Sequence, residues 1–361
     1  MLIRMTLRAR ANFQRKLLAW FCANRRALPW RGSRDPYRIW VAEIMLQQTR
    51  IAAVLPYYQR FLETLPTVES LAGARLEKVL QLWSGLGYYS RARSLHLTAK
   101  TIVANHGGKF PRTFEAALDL PGIGAYTAAA VLSIAYDAPF AVLDGNVARV
   151  LTRIGAIPGD LREPGRWRQL SETAQGLLAK RAPGDWNQAL MELGETICAP
   201  QNPQCNQCPI RSFCRARTLG LTGEIPAVRR KRAPVKVRIA AAILRDPKGR
   251  TILVRDPGAH DDVLFSRMWQ FPAVQVVKDA MAEIEMHVRE ILDLDGQPIR
   301  FEALPAARHG VTFRNITLLP FLGQMPELPT RARTKILSLG RIDRVPISSA
   351  TRKIAASLRN I

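Results

Sequence analysis

The chain has 361 residues, with 53 lysines and arginines against 29 aspartates and glutamates, a formal charge of +24 at pH 7. That length is enough for two domains with separate cores. The charge surplus exceeds what solubility asks and points to a polyanionic partner, nucleic acid before a membrane surface, since no long apolar run or lipidation motif accompanies it.

The first 34 residues carry no acid. An organelle leader can share that composition, but helical periodicity already runs from Phe13 through Leu17, Leu18 and Trp20 to Phe21, so the segment reads as part of the fold. The compartment this implies is the cytoplasm of a prokaryote, in association with the nucleoid. Cys22 lies on the same apolar stretch and reads as a core thiol. Helical spacing then recurs over 39–48, 76–83, 94–105, 114–118, 127–136, 147–154, 167–180 and 186–197. Gly85 and Gly87, Pro111, Pro121 to Gly124, Pro158-Gly159 and Pro183-Gly184 punctuate it. Residues 1–220 are therefore expected to form a mainly α domain. Residues 221–235 contain Glu224-Ile-Pro-Ala-Val-Arg-Arg-Lys-Arg-Ala-Pro234, a proline-bracketed basic run that reads as a linker near an anionic partner. Beyond it, β-branched or aromatic runs at 237–244, 251–254, 269–277 and 316–321 surround a helix at 280–292, and a short helix follows Ser348. Residues 236–361 thus read as a smaller α+β domain.

Four of the five cysteines, Cys198, Cys205, Cys208 and Cys214, follow a C-x6-C-x2-C-x5-C spacing. Thiolates that close repel one another unless they are oxidised or bound to metal. Disulfides suit short secreted chains with a signal peptide. Four-cysteine zinc sites normally show two C-x2-C pairs, and only Cys205 and Cys208 form one. The mixed spacings suit an iron–sulfur cluster, most simply one of four irons (4Fe-4S).

Leu120-Pro-Gly-Ile-Gly124 sits between two short helices. Gly122 and Gly124 permit positive φ and close approach. The helix that starts at once points its free N–H groups and positive dipole end outward, a phosphate clamp without base preference. An ordinary helix–helix turn has the same composition. Farther on, Val142-Leu-Asp-Gly-Asn146 precedes another helix, which Asp144 or Asn146 can cap. Asp144 would then be held at a helix mouth, ionised and facing whatever the hairpin grips.

This hairpin, the aspartate motif and the cysteine spacing together resemble the helix-hairpin-helix, iron–sulfur DNA glycosylases of the endonuclease III superfamily, and within it the adenine DNA glycosylases (MutY family). Leu28-Pro-Trp-Arg31, Glu43-Ile-Met-Leu-Gln-Gln-Thr49, Gly85-Leu-Gly-Tyr-Tyr-Ser-Arg-Ala-Arg93 and Trp186-Asn-Gln-Ala-Leu-Met-Glu-Leu-Gly194 extend the likeness over nearly all of the first domain. The second resembles that family's Nudix-like recognition domain, chiefly through Met268-Trp-Gln-Phe-Pro272.

The resemblance implies a monomeric base-excision repair enzyme acting on double-stranded DNA with an adenine mispair, most of all adenine opposite 8-oxoguanine. It makes Glu43 the catalytic acid. Adenine leaves poorly until a ring nitrogen is protonated, so a carboxyl kept neutral near pH 7 on this mostly apolar helix is what the step needs. Asp144, with Asn146 beside it, would stabilise the cationic sugar. Tyr126 stands where strand-cutting relatives have a Schiff-base lysine, which implies a monofunctional enzyme in which Tyr126 contacts Asp144 or the sugar. Gln48 and Leu86 match the wedge that fills the gap left by an extruded base and Tyr88 the side chain inserted beside the opposite base, and the Gly-rich turn of Leu86 and Tyr88 is expected to be exposed. Trp30 and Arg31 match the base pocket, where a buried Trp with a snorkelling Arg is the rival reading, and Leu46 is expected among the DNA contacts. Gln188 either reads an adenine edge or lies on a helix surface. Arg211, Arg215 and Arg217 would give the cluster loop a cationic face. Phe313, Arg314 and Asn315 fall where the family has Phe-Ser-His against the oxidised guanine, so that contact is altered here. The helix at 280–292 lacks the R-E-x-x-E-E pattern of a Nudix box, which predicts binding without hydrolysis in the second domain.

Overall fold

An apolar repeat of Phe13, Leu17 and Phe21 turns one stripe of the first helix, α1 (Leu7–Asn24), into the core, in a computed structural model of the chain. Thr6 caps it by accepting the Ala9 N–H. The structure describes all residues except 1, 4, 228–232, 256–267, 295–298, 312 and 361, so the basic centre of the expected linker lies outside the described residues. Helices α2 (Pro36–Leu46), α3 (Ile51–Thr64), α4 (Val68–Gly73), α5 (Leu76–Trp83), α6 (Tyr89–His106), α7 (Phe114–Leu118), α8 (Ala125–Tyr136), α9 (Gly145–Gly155), α10 (Arg166–Leu177), α11 (Pro183–Thr196) and α12 (Arg215–Thr218) follow. Two units form, Met1–Gly73 with Arg93–Arg230 and Ala74–Ala92 with Lys231–Ile361. The first is helical and the second is built on a sheet, which is the mainly α plus α+β architecture read from the sequence.

In the first unit the Phe13 ring meets Trp186 and Phe213 edge-on at 5.4 and 5.5 Å. Val147, Val150, Leu151 and Ile154 of α9 and Leu190 and Leu193 of α11 complete that core. Helix α8 is buried continuously from Thr127 to Ala135, as a helix apolar on every side should be. Its neighbour α11 comes so close that a Cβ on Gly184 would lie 2.7 Å from the Ser133 carbonyl oxygen and 2.9 Å from the Ile134 Cα. Cys22 corrects an expectation: it is exposed, because it lies one position past Phe21 and off the buried stripe. Helix α3 went unread because Pro56 falls inside it, although Val54, Tyr58, Phe61 and Leu62 keep a helical stripe.

The second unit contains β1 (Val235–Arg245), β2 (Arg250–Val254), β3 (Ala273–Gln275), α13 (Ala280–Leu292), β4 (Phe301–Ala303), β5 (Ala307–Val311), β6 (Arg314–Gln324), β7 (Thr334–Ser338) and α14 (Ser349–Ala356). Strand order is β4-β6-β1-β2-β7, with β3 on β1 and β5 on β6. Strands β1 and β6 run parallel from Val235↔Arg314 to Arg245↔Gln324. One face of β1 (Val237, Ile239, Ala241, Ile243) joins a core with Ala350 and Ile354 of α14. The other (Ala240, Ala242, Leu244) packs on Ile284, Val288 and Leu292 of α13. Cover on both faces explains the nearly unbroken apolar sequence of β1. The run at 269–277 is not one strand: Trp269 and Gln270 make isolated bridges, Pro272 cannot donate to a ladder, and pairing resumes only at Ala273.

Replacing Gly184 with Ala should lower stability by about 1–3 kcal/mol, since two helix backbones must separate to admit one methyl. Urea denaturation of the variant against the parent checks this; an unchanged midpoint would show that the contact relaxes freely.

Candidate active site

Helices α2, α8 and α11, the start of α9 and the turn after α1 enclose a cavity of about 590 Å³. Glu43 enters it from α2, a helix capped by Asp35 and buried from Ile39 through Met45. Only 6 % of Glu43 is exposed. Its Oε2 accepts a hydrogen bond from the Tyr126 hydroxyl of α8 at 2.8 Å. Burial pushes the Glu43 carboxyl up; the Tyr126 bond and the Arg31 charge pull it down, Asp144 pushes up again, and it comes to about 7. The same burial, together with the charges of Glu43 and Asp144, raises the Tyr126 phenol well above its ordinary range. Tyr126 thus bonds Glu43, with Met191 Sδ at 3.5 Å from its oxygen, a partner that the expected contact with Asp144 or the sugar did not include.

Asp144 caps α9 by accepting the Val147 N–H at 2.7 Å, and the Asn146 amide donates to its other oxygen at 3.2 Å. The cap is therefore Asp144, with Asn146 inside the helix and its side-chain Oδ1 accepting from Arg149 Nη2 at 2.8 Å. Burial raises the Asp144 carboxyl, while the bonds from Val147 and Asn146 and the Arg149 charge pull it down. Glu43, Tyr126, Asp144 and Asn146 all line the one cavity, as do Trp30, Arg31, Leu46, Gln48 and Gln188. Trp30 is buried with its ring edge-on to Tyr58 at 5.1 Å. Arg31 lies over the Phe21 ring at 5.3 Å and bonds Glu192 at 2.5 Å. Gln48 holds a left-handed φ of 57° just past α2, a strained position for a residue with a side chain.

Sequence reasoning overlooked Met191, Glu192 and Glu195, which share the wall with Gln188. Their spacing of three, four and seven residues from Gln188 is one helical face, and that periodicity was the available signal. Trp167, 45 % exposed at the start of α10, also lines the cavity and left no such trace.

The hairpin Leu120 to Gly124 leads into α8, whose N-cap is Gly124. Gly122 has φ +75° and a Cβ there would fall 2.7 Å from Ser94 Cβ; Gly124, at φ −97°, does not use the positive φ open to glycine, and the space around it is open. The cavity walls do not include Leu86 or Tyr88, which belong to the second unit. There Ser84 donates to the Ile347 carbonyl at 2.7 Å and Trp269 to Glu77 at 3.2 Å. Leu86 is buried, correcting the expectation of an exposed turn, because Gly85 and Gly87 fold it inward. Tyr88 is 40 % exposed with φ 51° and the Arg91 guanidinium over its ring. Phe313 stands 55 % exposed at the tip joining β5 to β6, with Arg314 over its ring at 5.4 Å. Arg314 and Asn315 are already strand residues, paired with Val311 and Gly310. His309 is buried on β5.

Cys198, Cys205, Cys208 and Cys214 line one small cavity with Arg153, Arg211 and Arg217. None is in a disulfide. Burial pushes the Cys208 thiol up to about 12, with the other three cysteines adding to it. Arg153 donates to Cys198 Sγ at 3.3 Å and to three carbonyls of the loop, those of Cys198, Ala199 and Pro200. Among the described residues no three His, Cys, Asp or Glu are gathered closely enough to hold a single ion.

A family profile described as HhH-GPD superfamily base excision DNA repair protein matches residues 41–180. A solved thermostable thymine-DNA glycosylase is 31 % identical, with a TM-score of 0.53 over 97 % of its own chain and 58 % of this one. The chain belongs to the HhH-GPD superfamily. Curated adenine DNA glycosylases of Rattus norvegicus and Arabidopsis thaliana are 48 % and 36 % identical, over 60 % and 73 % of this chain. Those stretches are 44 % and 48 % of the relatives, so the chain spans about half the length of the curated relatives it matches. Endonuclease III trapped on DNA has the same superfamily fold, at 23 % identity and a TM-score of 0.51. Eukaryotic relatives stand among the matches, so the likeness does not favour the prokaryotic origin read from the sequence. Among the described residues no helix is long and apolar enough to cross a membrane.

Folding raises the Glu43 pKa from 4.5 to about 7, so the folded state holds this proton more tightly than the unfolded one and loses stability as pH rises through that window. Gln at position 43 has no proton to lose. Glu43→Gln should therefore gain about 2–3 kcal/mol on the parent between pH 5 and pH 8. Denaturant titrations of both proteins at the two pH values measure the difference; parallel stabilities would mean that the buried carboxyl titrates normally.

Proposed function

We propose that the chain is a monofunctional adenine DNA N-glycosylase, removing adenine mispaired with 8-oxoguanine, and with guanine, from double-stranded DNA and leaving an abasic site. The observation that carries this reading is the neutral-prone Glu43, bonded to Tyr126 in the cavity that Asp144 also lines. Adenine extruded into this cavity meets a carboxyl able to protonate a ring nitrogen near neutral pH, which turns a poor leaving group into a good one. As the glycosidic bond lengthens, positive charge grows on the sugar and Asp144, steadied by Val147 and Asn146, stabilises it. Glu43, now a carboxylate, assists the water that completes hydrolysis. Tyr126 offers no amine for an imine, which favours base removal without strand cleavage.

In this reading residues 1–220 are the glycosylase domain, 221–235 a basic linker and 236–361 the domain that reads the opposite base. Gly122 and Gly124 approach the phosphate backbone, Gln48, Leu86 and Tyr88 hold the opened duplex, and Phe313, Arg314 and Asn315 contact the oxidised guanine. The protein acts as a monomer. Cys198, Cys205, Cys208 and Cys214 hold a 4Fe-4S cluster; four cysteines lining one small cavity suit a polynuclear group. When bound it would tie the loop to Arg153 and stiffen the exposed Arg211 and Arg217 beside it, supplying no hydrolytic step.

The thymine-DNA glycosylase likeness favours a second reading, removal of thymine. Thymine leaves as an anion with less need of an acid, so Glu43 argues for a purine. Single-turnover assays on duplexes carrying adenine opposite 8-oxoguanine, guanine or thymine, and thymine opposite guanine, decide. Adenine release should dominate, fall about 100-fold or more in Glu43→Gln, and leave no borohydride-trapped adduct; thymine release or a trapped adduct would overturn the reading. Arg314→Ser with Asn315→His tests the opposite-base contact by raising the preference for 8-oxoguanine. Purified protein should carry iron and acid-labile sulfide in equal amounts, and zinc alone would contradict the cluster.

A further inference from the structure

Glu192, to which no motif gave a role, is one of the most deeply buried charges in the first unit, with its side chain 1 % exposed. It accepts from Arg26 Nε and Nη2 at 2.7 Å each, from the Arg26 backbone N–H at 3.3 Å and from Arg31 Nη2 at 2.5 Å. Glu195, on the same face of α11, takes a further bond from Arg26 at 2.7 Å. Burial alone would raise the Glu192 carboxyl, but the bonds from Arg26 and Arg31 bring it down to about 2, so it stays charged. With the Phe21 ring on one side and Glu192 on the other, Arg31 has little freedom to swing.

We infer that Glu192 is a positioning residue for base excision: it fixes Arg31 in the cavity wall and offsets part of the arginine's charge, which Glu43 would otherwise feel in full. This rests on the glycosylase reading. Around the cavity stand Asp144 at the start of α9, Arg31 on the turn after α1, Arg50 before α3, Glu192 and Glu195 on α11, and the Tyr126 phenol of α8. Arg31 opposes protonation of Glu43 and Asp144 favours it. A carboxylate bonded to Arg31 offsets the first and leaves the second. Removing one partner of a buried pair exposes the full charge of the other.

The test is the pH profile of single-turnover adenine excision in the parent, Glu192→Gln, Glu192→Asp, Arg31→Met and the Glu192→Gln Arg31→Met double variant. The rate should fall as Glu43 loses its proton at high pH. In Glu192→Gln that alkaline limb should move down by about half a pH unit or more. In the Arg31→Met background the same change should not move it. Glu192→Asp keeps the charge but shortens the reach, so its limb should stay in place while the rate falls about tenfold at every pH. An unmoved limb in folded Glu192→Gln, or an equal shift without Arg31, overturns the proposal. Should circular dichroism show Glu192→Gln unfolded, the Asp variant decides alone: a shifted limb or an undiminished rate overturns it. A parent that excises no adenine takes both readings down; a parent active with an unmoved Gln limb removes only the positioning role.

Discussion

The hydrogen bond from Tyr126 to the buried Glu43 is the interaction on which the site depends. A carboxyl so enclosed has two stable options: lose its charge, or acquire a partner that stabilises it. Here both act against each other. Burial drives the group toward the neutral acid, and the Tyr126 hydroxyl and the Arg31 charge draw it back, so that its proton is held loosely near neutrality. A fully apolar wall would hold the proton too tightly to release it, and a direct ion pair would strip it off. The packing of α2 against α8 sets this balance, which is why the most continuously buried helices of the first unit also carry the reactive groups.

That dependence links the fold to the chemistry. Helix α8 can be buried on all sides only because its neighbours approach without bulky side chains, as at Gly184. The same closeness carries α11 along the cavity, where Gln188, Met191, Glu192 and Glu195 form a single stripe. A distortion of the α8–α11 contact would thus reach Tyr126 and the arginine clamp together. Gln48 and Tyr88, two of the seven described non-glycine residues with left-handed φ, are strained positions outside regular helix, and strain of that kind persists only where surrounding structure over-determines it.

Much of this was legible in the chain. Helical periodicity located α5, α7 and α13 at the observed bounds, and the apolar run around Glu43 announced a buried carboxyl. What stayed hidden had physical causes. Pro56 broke the pattern of α3 to the eye although its missing N–H is tolerated in place. Short β4, β5 and β7 draw their order from pairing partners far along the chain, which local propensity does not register. The association of 74–92 with the sheet unit depends on contacts such as Ser84 to Ile347, invisible to any window of sequence. In the site, the family resemblance named Glu43 and Tyr126 and the residues at a helix start named Asp144, but not who bonds whom: the Tyr126 hydroxyl bonds Glu43, and burial outweighs the helix cap at Asp144.

The most direct measurement is a carbon-13 NMR titration of carboxyl-labelled protein, with the Glu43 resonance assigned by its loss in Glu43→Gln. A midpoint near 7 for that one carboxyl is what its burial and its bond to Tyr126 require. A midpoint near 4.5, the ordinary value for glutamate, would mean that Glu43 is a carboxylate at neutral pH and no proton donor.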